Sequence, residues 1–474
     1  MLVAAVLTVS AAISVAQGAG IIDFGRFVEA ALALQAPIQF GVSGPLPQSS
    51  PAQIDAATAT ADPTKLATLA ASLKARVVST SAGTNTDMMA LWPSDTDPQW
   101  LLACNEVGPT TSPGFQRIEI ATGATTTIVT GTASCDGVRR TPWGSILFSE
   151  EAGEGPNGGR VYELINPLQT TNVLLDRTTG VFTNGPGGTG AENLTARPAL
   201  GRLSFEGFAV FANGVTYFGD ELRPSNGTPG GAYYKFIPST LRDPSAPPIM
   251  SLAQSPFAAG SIWGLRLGKR SGGTDYGQGT ELGFGTWQSV CPNCNDGDLK
   301  ALAAPLKLTG YYRPEDIDID REAEAGGKVR FCGNNTGNEG DDQLWGETVC
   351  VTDGMISSAA ANAATPEVQR FVEGSPELAM PDNIAYQPGR GNWVIHEDAD
   401  TEYLRPHNND LWDCLPDGAD ANLLSDGCIR IATLNDLTAE WTGGIFDASG
   451  KHFYVSVQHN ISGKGVVLDI TGWK

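Results

Sequence analysis

One phrase recurs along this chain of 474 residues. An acidic or Asn-containing turn leads into a short apolar strand, a tight turn, a second strand, and acid again. It runs through Trp100–Glu106, Trp143–Glu151, Phe205–Glu221, Arg313–Asp320, Pro381–Asp398 and Glu440–His459. In the second instance Ile146, Leu147 and Phe148 form the unbroken apolar run of a strand buried on both faces. Glu150 and Glu151 follow at once. Adjacent carboxylates at the mouth of a buried strand are costly unless a cation sits there. One such pair reads as a solvated loop start; six do not.

Six hairpins at intervals of roughly 60 residues exceed the spacing of compact propeller repeats, so long connecting loops are expected. In a propeller the inner strands line one central channel, and acids at equivalent strand ends converge at its mouth. A sandwich would scatter them over two ends. The expectation is therefore an all-β, six-bladed propeller. Gly 57 and Pro 30 agree with a turn-rich chain.

The formal charge of −22 excludes the basic footprint that nucleic acid requires. It suits a secreted protein or one that binds hard cations. Leu2–Ala16 is apolar and followed by small residues, so residues 1–18 read as a secretory signal lacking its basic start. No membrane span is expected. Residues 19–89 read as a helical arm, with helices at Phe24–Leu34 and Pro63–Ala75, and residues 90–474 as the propeller domain. Eight cysteines, an even number, fit an extracellular or periplasmic compartment. Local pairing gives Cys104/Cys135, Cys291/Cys294, Cys332/Cys350 and Cys414/Cys428. The sequons at Asn193, Asn226, Asn334 and Asn460 would be surface glycans in a eukaryotic source.

Thr141-Pro-Trp-Gly144 with the following Ser-Glu-Glu, Phe205-Glu206-Gly207, Arg313-Pro314-Glu315, Pro381-Asp382-Asn383 with Trp393…Glu397-Asp398, and Glu440-Trp-Thr-Gly443…Gln458-His459 resemble the PhoX-type alkaline phosphatases. The resemblance covers roughly residues 90–470, in order. It implies a secreted, monomeric, six-bladed propeller that hydrolyses phosphomonoesters at an iron–calcium cluster in its mouth. On it, Glu150 or Glu151, Glu206, Asp220, Glu315 and Glu440 match metal-binding acids, and Asp382 and Glu397 match further motif acids. Arg313 matches the phosphate-clamping arginine. Its bland alternative is a salt bridge to Glu315 or Asp316. Expected cofactors are Ca²⁺, with or without Fe³⁺, and the expected partner is a phosphate ester.

The chain departs from the family pattern in three places. Ser149 stands where the family has an iron-bridging cysteine, Phe205 where it has histidine, and Cys104-Asn105-Glu106 where it has Asn-His-Glu. Serine is a poor substitute for a thiolate on iron. The competing readings are a non-catalytic propeller stabilised by calcium and acting as a binding module, and a lactonase-like or phytase-like propeller hydrolase. Other chemistries lack their motifs: no G-x-S-x-G elbow occurs, and the glycine run at 185–190 lacks the Lys-Ser/Thr of a P-loop.

Overall fold

The computed structural model describes residues 24–474, apart from 154, 156, 224–229, 269–280, 338–344, 400–406 and 419–421. The leader and the Asn226 sequon lie outside the described residues. Six antiparallel units follow one another, each opening on an innermost strand. These six strands are Thr86–Trp92, Cys135–Arg140, Phe205–Val210, Pro314–Ile319, Pro381–Tyr386 and Glu440–Phe446, and they define blades 1 to 6 in order. Each innermost strand packs on that of the next blade, and blade 6 packs back on blade 1, so the ring closes. This is a six-bladed β-propeller. Blades 3 and 4 form one continuous sheet of nine strands because Gly283 and Phe284 pair with Val368 and Glu367 at their outer edges.

The expected repeats are the blades themselves. Each recurring hairpin supplies strands at the centre of a unit, and turns such as Ala212–Gly214 join the innermost strand to the second. The long loops also do structural work. Thr171–Asp176 and Val181–Thr189 leave blade 2 and extend the outer edge of blade 1. The Thr125–Thr130 strand of blade 1 is thereby paired on its outer side.

The N-terminal arm is less helical than expected. A helix does span Phe24–Gln39, but Pro63–Leu66 is only a 3₁₀ turn. Ala67–Leu69 pairs with Ala432–Leu434 at the edge of blade 5. Lys74–Ala82 pairs with Gly465–Thr471 and completes blade 6. The propeller therefore recruits strands from well before residue 90. Local helical pattern loses here because the outer edges of blades 5 and 6 offer backbone hydrogen bonds that a short isolated helix cannot match. Joining the two chain ends within blade 6 also closes the ring.

All four cysteine pairs are disulfide-bonded as expected from their proximity. The three sequon asparagines among the described residues are not surface groups. Asn193, Asn334 and Asn460 are buried, and Asn334 Nδ2 donates to the carbonyls of Asp382 and Asn383. A glycan at these positions would require the surrounding blade to open. Among the described residues no helix is long and apolar enough to cross a membrane.

Candidate metal and phosphate site

One register rule builds the mouth. In every blade the innermost strand pairs with the last residue of the second strand: Thr86 with Asn105, Cys135 with Glu150, Phe205 with Asp220, Pro314 with Asn335, Pro381 with Glu397, and Glu440 with Gln458. In blades 1 to 5 the ladder then slips over the next two residues of the innermost strand. Such a bulge re-aims a side chain. The first residue inside each slip is an acid: Asp87, Asp136, Glu206, Glu315 and Asp382. All five line a cavity of about 300 Å³ at the mouth.

The second strands add a further row. One residue beyond the paired position lie Glu106, Glu151 and Asp398, which line the same cavity, as does His459 of blade 6. Backbone bonds fix these residues, since Glu106 N donates to Asn85 O at 2.8 Å, Glu151 N to Ser134 O at 2.8 Å and Asp398 N to Met380 O at 2.9 Å. Glu440 completes the acids. Blades can crowd this closely only where side chains are missing. A Cβ on Gly137 would lie 2.0 Å from the carbonyl oxygen of Glu206.

Nine carboxylates and two arginines, Arg223 and Arg313, therefore share one cavity. Two triads can each bring one oxygen per residue within 4.8 Å of the others: Asp87–Glu106–Asp136 and Asp136–Glu151–Glu206. Asp136 belongs to both. Asp87 Oδ1 and Asp136 Oδ1 are buried with no hydrogen-bond partner. Burial, and after it the neighbouring acids, pushes Asp87, Asp136, Glu151 and Glu206 well above the usual carboxylate range. Burial likewise pushes Glu315 up to about 8 and Glu440 up to about 7. Buried acids that are crowded together and short of donors match the donor set of a hard cation, which takes six to eight oxygens in the case of calcium.

Arg313 sits at the rim in a left-handed backbone conformation, φ 56°. Its Nε meets Glu221 Oε1 at 2.5 Å and its Nη2 meets Glu315 Oε1 at 3.1 Å. The salt bridge to Glu315 is thus present, and the guanidinium still lines the cavity. Burial disfavours its charge, but Glu315 and Glu221 outweigh that and hold it firmly protonated. His459, φ 55°, is also left-handed and holds its Nε2 3.2 Å from Glu440 Oε1. Strained backbone at two lining residues is a common mark of a functional site.

Of the expected site residues, the structure brings Glu151, Glu206, Glu315, Asp382, Glu440 and Arg313 together. Glu150, Asp220 and Glu397 do not line the cavity. Glu150 accepts from Arg177 Nε at 2.7 Å, Tyr162 Oη at 2.9 Å and Ala133 N at 2.9 Å. Glu397 accepts from Ala379 N, Asp410 N and Trp412 Nε1. Both occupy the paired position, one residue from the lining position, and successive strand residues point to opposite faces. Ser149 is buried behind the site, its Oγ donating to Gly137 O at 3.3 Å. His396 is buried against Phe453. Asp87 and Asp136 were not singled out by sequence. The available signal was an acid as the second residue of an apolar strand, as in Thr86-Asp87-Met88-Met89.

Several solved structures align over most of the chain at low identity. A glucose dehydrogenase is 12% identical, covers 84% of this chain and 98% of its own, and has a TM-score of 0.42. A putative gluconolactonase is 10% identical, with 86% and 96% covered and a TM-score of 0.42. The Cps50 (Swd1) β-propeller domain of Myceliophteria thermophila is 8% identical, with 84% and 100% covered and a TM-score of 0.39. At such scores the fold rests on the sheets described above rather than on these likenesses. No curated protein sequence matches the chain. The family described as "Alkaline phosphatase PhoX" matches residues 105–460, which contain Arg313 and every lining acid except Asp87. The chain therefore belongs to the PhoX alkaline phosphatase family.

Proposed function

We propose that this protein is a secreted, calcium-dependent phosphomonoesterase whose substrate phosphate sits at the propeller mouth. The observation that carries the reading is the pair of carboxylate triads sharing Asp136, with unpartnered buried oxygens, in the same cavity as Arg313. A phosphate dianion would be repelled by nine carboxylates, so cations must outnumber the two arginines for the ester to enter. Asp87, Glu106, Asp136, Glu151 and Glu206 would hold them. Bound there, a hard cation supplies charge neutralisation at the phosphoryl oxygens.

The chain's own groups do the rest. Glu221 and Glu315 hold the Arg313 guanidinium in one plane, and a planar fork of N–H donors suits the oxygens of a phosphoryl group. Glu440 and His459 form a rim pair, with His459 Nε2 3.2 Å from Glu440 Oε1. The donor set around the cavity is oxygen-rich, and no cysteine lines it among the described residues. It therefore favours calcium over a thiolate-held iron, although carboxylates alone also accept ferric iron.

The test is hydrolysis of a generic aryl phosphate by wild type and Arg313→Ala, each with calcium and with chelator. Calcium-dependent release of phosphate is expected from wild type. Arg313→Ala should lose about 10²-fold or more in kcat/KM while keeping its metal, in line with removal of one preorganised donor. Metal binding without hydrolysis in either protein would favour the binding-module reading.

A further inference from the structure

Three of the four disulfides lie within a single blade: Cys291–Cys294 in blade 3, Cys332–Cys350 in blade 4 and Cys414–Cys428 in blade 5. The fourth, Cys104–Cys135, runs from the second strand of blade 1 to the innermost strand of blade 2. Its ends are placed beside the triads. Cys104 is two residues from Glu106, and Cys135 is adjacent to Asp136, the acid common to both. Both cysteines are fully buried.

The surrounding backbone continues the same connection. Ser134 N donates to Val107 O of blade 1 at 3.0 Å, and Ser134 O accepts from Glu151 N of blade 2 at 2.8 Å. Ser134 holds a left-handed φ of 41° to make both bonds. Glu106, Asp136 and Glu151 are thus tied into one short strip that crosses the blade boundary.

We propose that the Cys104–Cys135 disulfide is a positioning element for metal binding, which fixes the spacing of the acids before any cation arrives. This rests on the cation-binding reading of the mouth. Like charges on neighbouring blades push those blades apart when no cation is present. A covalent link next to Asp136 opposes that separation, so the cost of bringing the acids together is met in folding rather than in binding. Preorganisation of this kind raises affinity without adding a ligand. The other three disulfides brace single blades and have no such reach.

The experiment is calcium titration by calorimetry on chelator-stripped protein, comparing wild type, Cys104→Ala/Cys135→Ala and Cys414→Ala/Cys428→Ala. Melting temperatures in chelator report the purely structural cost of each loss. The first double variant should bind calcium 10- to 100-fold more weakly, the range seen when groups supporting metal ligands are removed. The second should bind as wild type does, even if it melts lower. Equal affinity in all three proteins would overturn the proposal while leaving the metal site intact. Absence of calcium binding in wild type would overturn both.

Should the first variant fail to fold, hydrogen exchange on wild type decides the matter. Amides of Ser134–Asp136 should already be protected in stripped protein and change less than about twofold when calcium is added. Slowing of tenfold or more on loading would show that calcium, not the disulfide, orders the strip.

Discussion

Two groups of acids lie equally deep in this propeller and have opposite settings. At the mouth, Asp87 and Asp136 keep oxygens without partners. In blade 5, Glu397 and Asp410, with His407, also come within 4.8 Å of one another. There each carboxylate oxygen of Glu397 and Asp410 already has a donor. Glu397 accepts from two backbone amides and an indole, and Asp410 accepts from Arg430 Nε at 2.5 Å and Ser49 Oγ at 2.9 Å. Burial raises the pKa of both groups of acids. Depth and proximity therefore do not distinguish the two clusters. Unpartnered oxygens do, and a carboxylate already holding its donors gains little from a metal.

The largest contrast should appear in stability. Asp410→Ala leaves Arg430 buried beside fewer acceptors, and breaking a buried pair in this way costs about 3–5 kcal/mol. The loss should be the same in calcium and in chelator, as read by denaturant melts. Asp136→Asn should behave in the reverse manner. It removes a buried acid that is costly to ionise, so stability in chelator should hold or rise. What it loses is the stabilisation by calcium, about 2.7 kcal/mol when the ion is 100-fold above its Kd. A calcium-independent loss at Asp136 would make the two clusters alike and break the comparison.

The pH dependence sharpens the same point. Glu315 and Glu440 are raised from 4.5 to about 8 and about 7, chiefly by burial. An acid whose pKa is raised on folding contributes stability below its unfolded pKa and loses it as pH rises through the folded value. The melting temperature of stripped protein should therefore fall between about pH 5 and about pH 9, and calcium should flatten the decline. A stripped protein that melts at the same temperature across that window would contradict the crowding of acids at the mouth.

The smallest effect is expected at Ser149. Its hydroxyl lies behind Asp136 and Gly137 rather than on the cavity wall. Ser149→Cys should raise iron content and activity together, but modestly, since a thiol there must reach past the Gly137 carbonyl. Elemental analysis beside an aryl phosphate assay measures both at once.

How much of this was legible in the sequence follows from alternation. The six blades could be read because each repeats strand, turn, strand and acid. The disulfides could be read because partners are near in sequence. The choice within each acidic pair could not. Glu150 and Glu151 are both acids at one strand end, and only the register decides which faces the channel. Glu397 and Asp398 present the same ambiguity, and in both pairs the second residue lines the cavity. The bulges that turn Asp87 and Asp136 inward leave only a faint mark in the sequence, an acid as the second residue of a strand. The arm misled for a different reason: within Pro63–Ala75, which has a helical pattern, Ala67–Leu69 becomes a strand because Ala432–Leu434, far later in the chain, supplies its partner.

The central claim is that the mouth, and not the blade 5 cluster, holds the cations. Metal content settles it directly, measured on wild type, Asp136→Asn and Glu397→Gln purified without chelator. The account predicts calcium in wild type, its loss in Asp136→Asn and its retention in folded Glu397→Gln. Calcium retained by Asp136→Asn and lost from Glu397→Gln would contradict it.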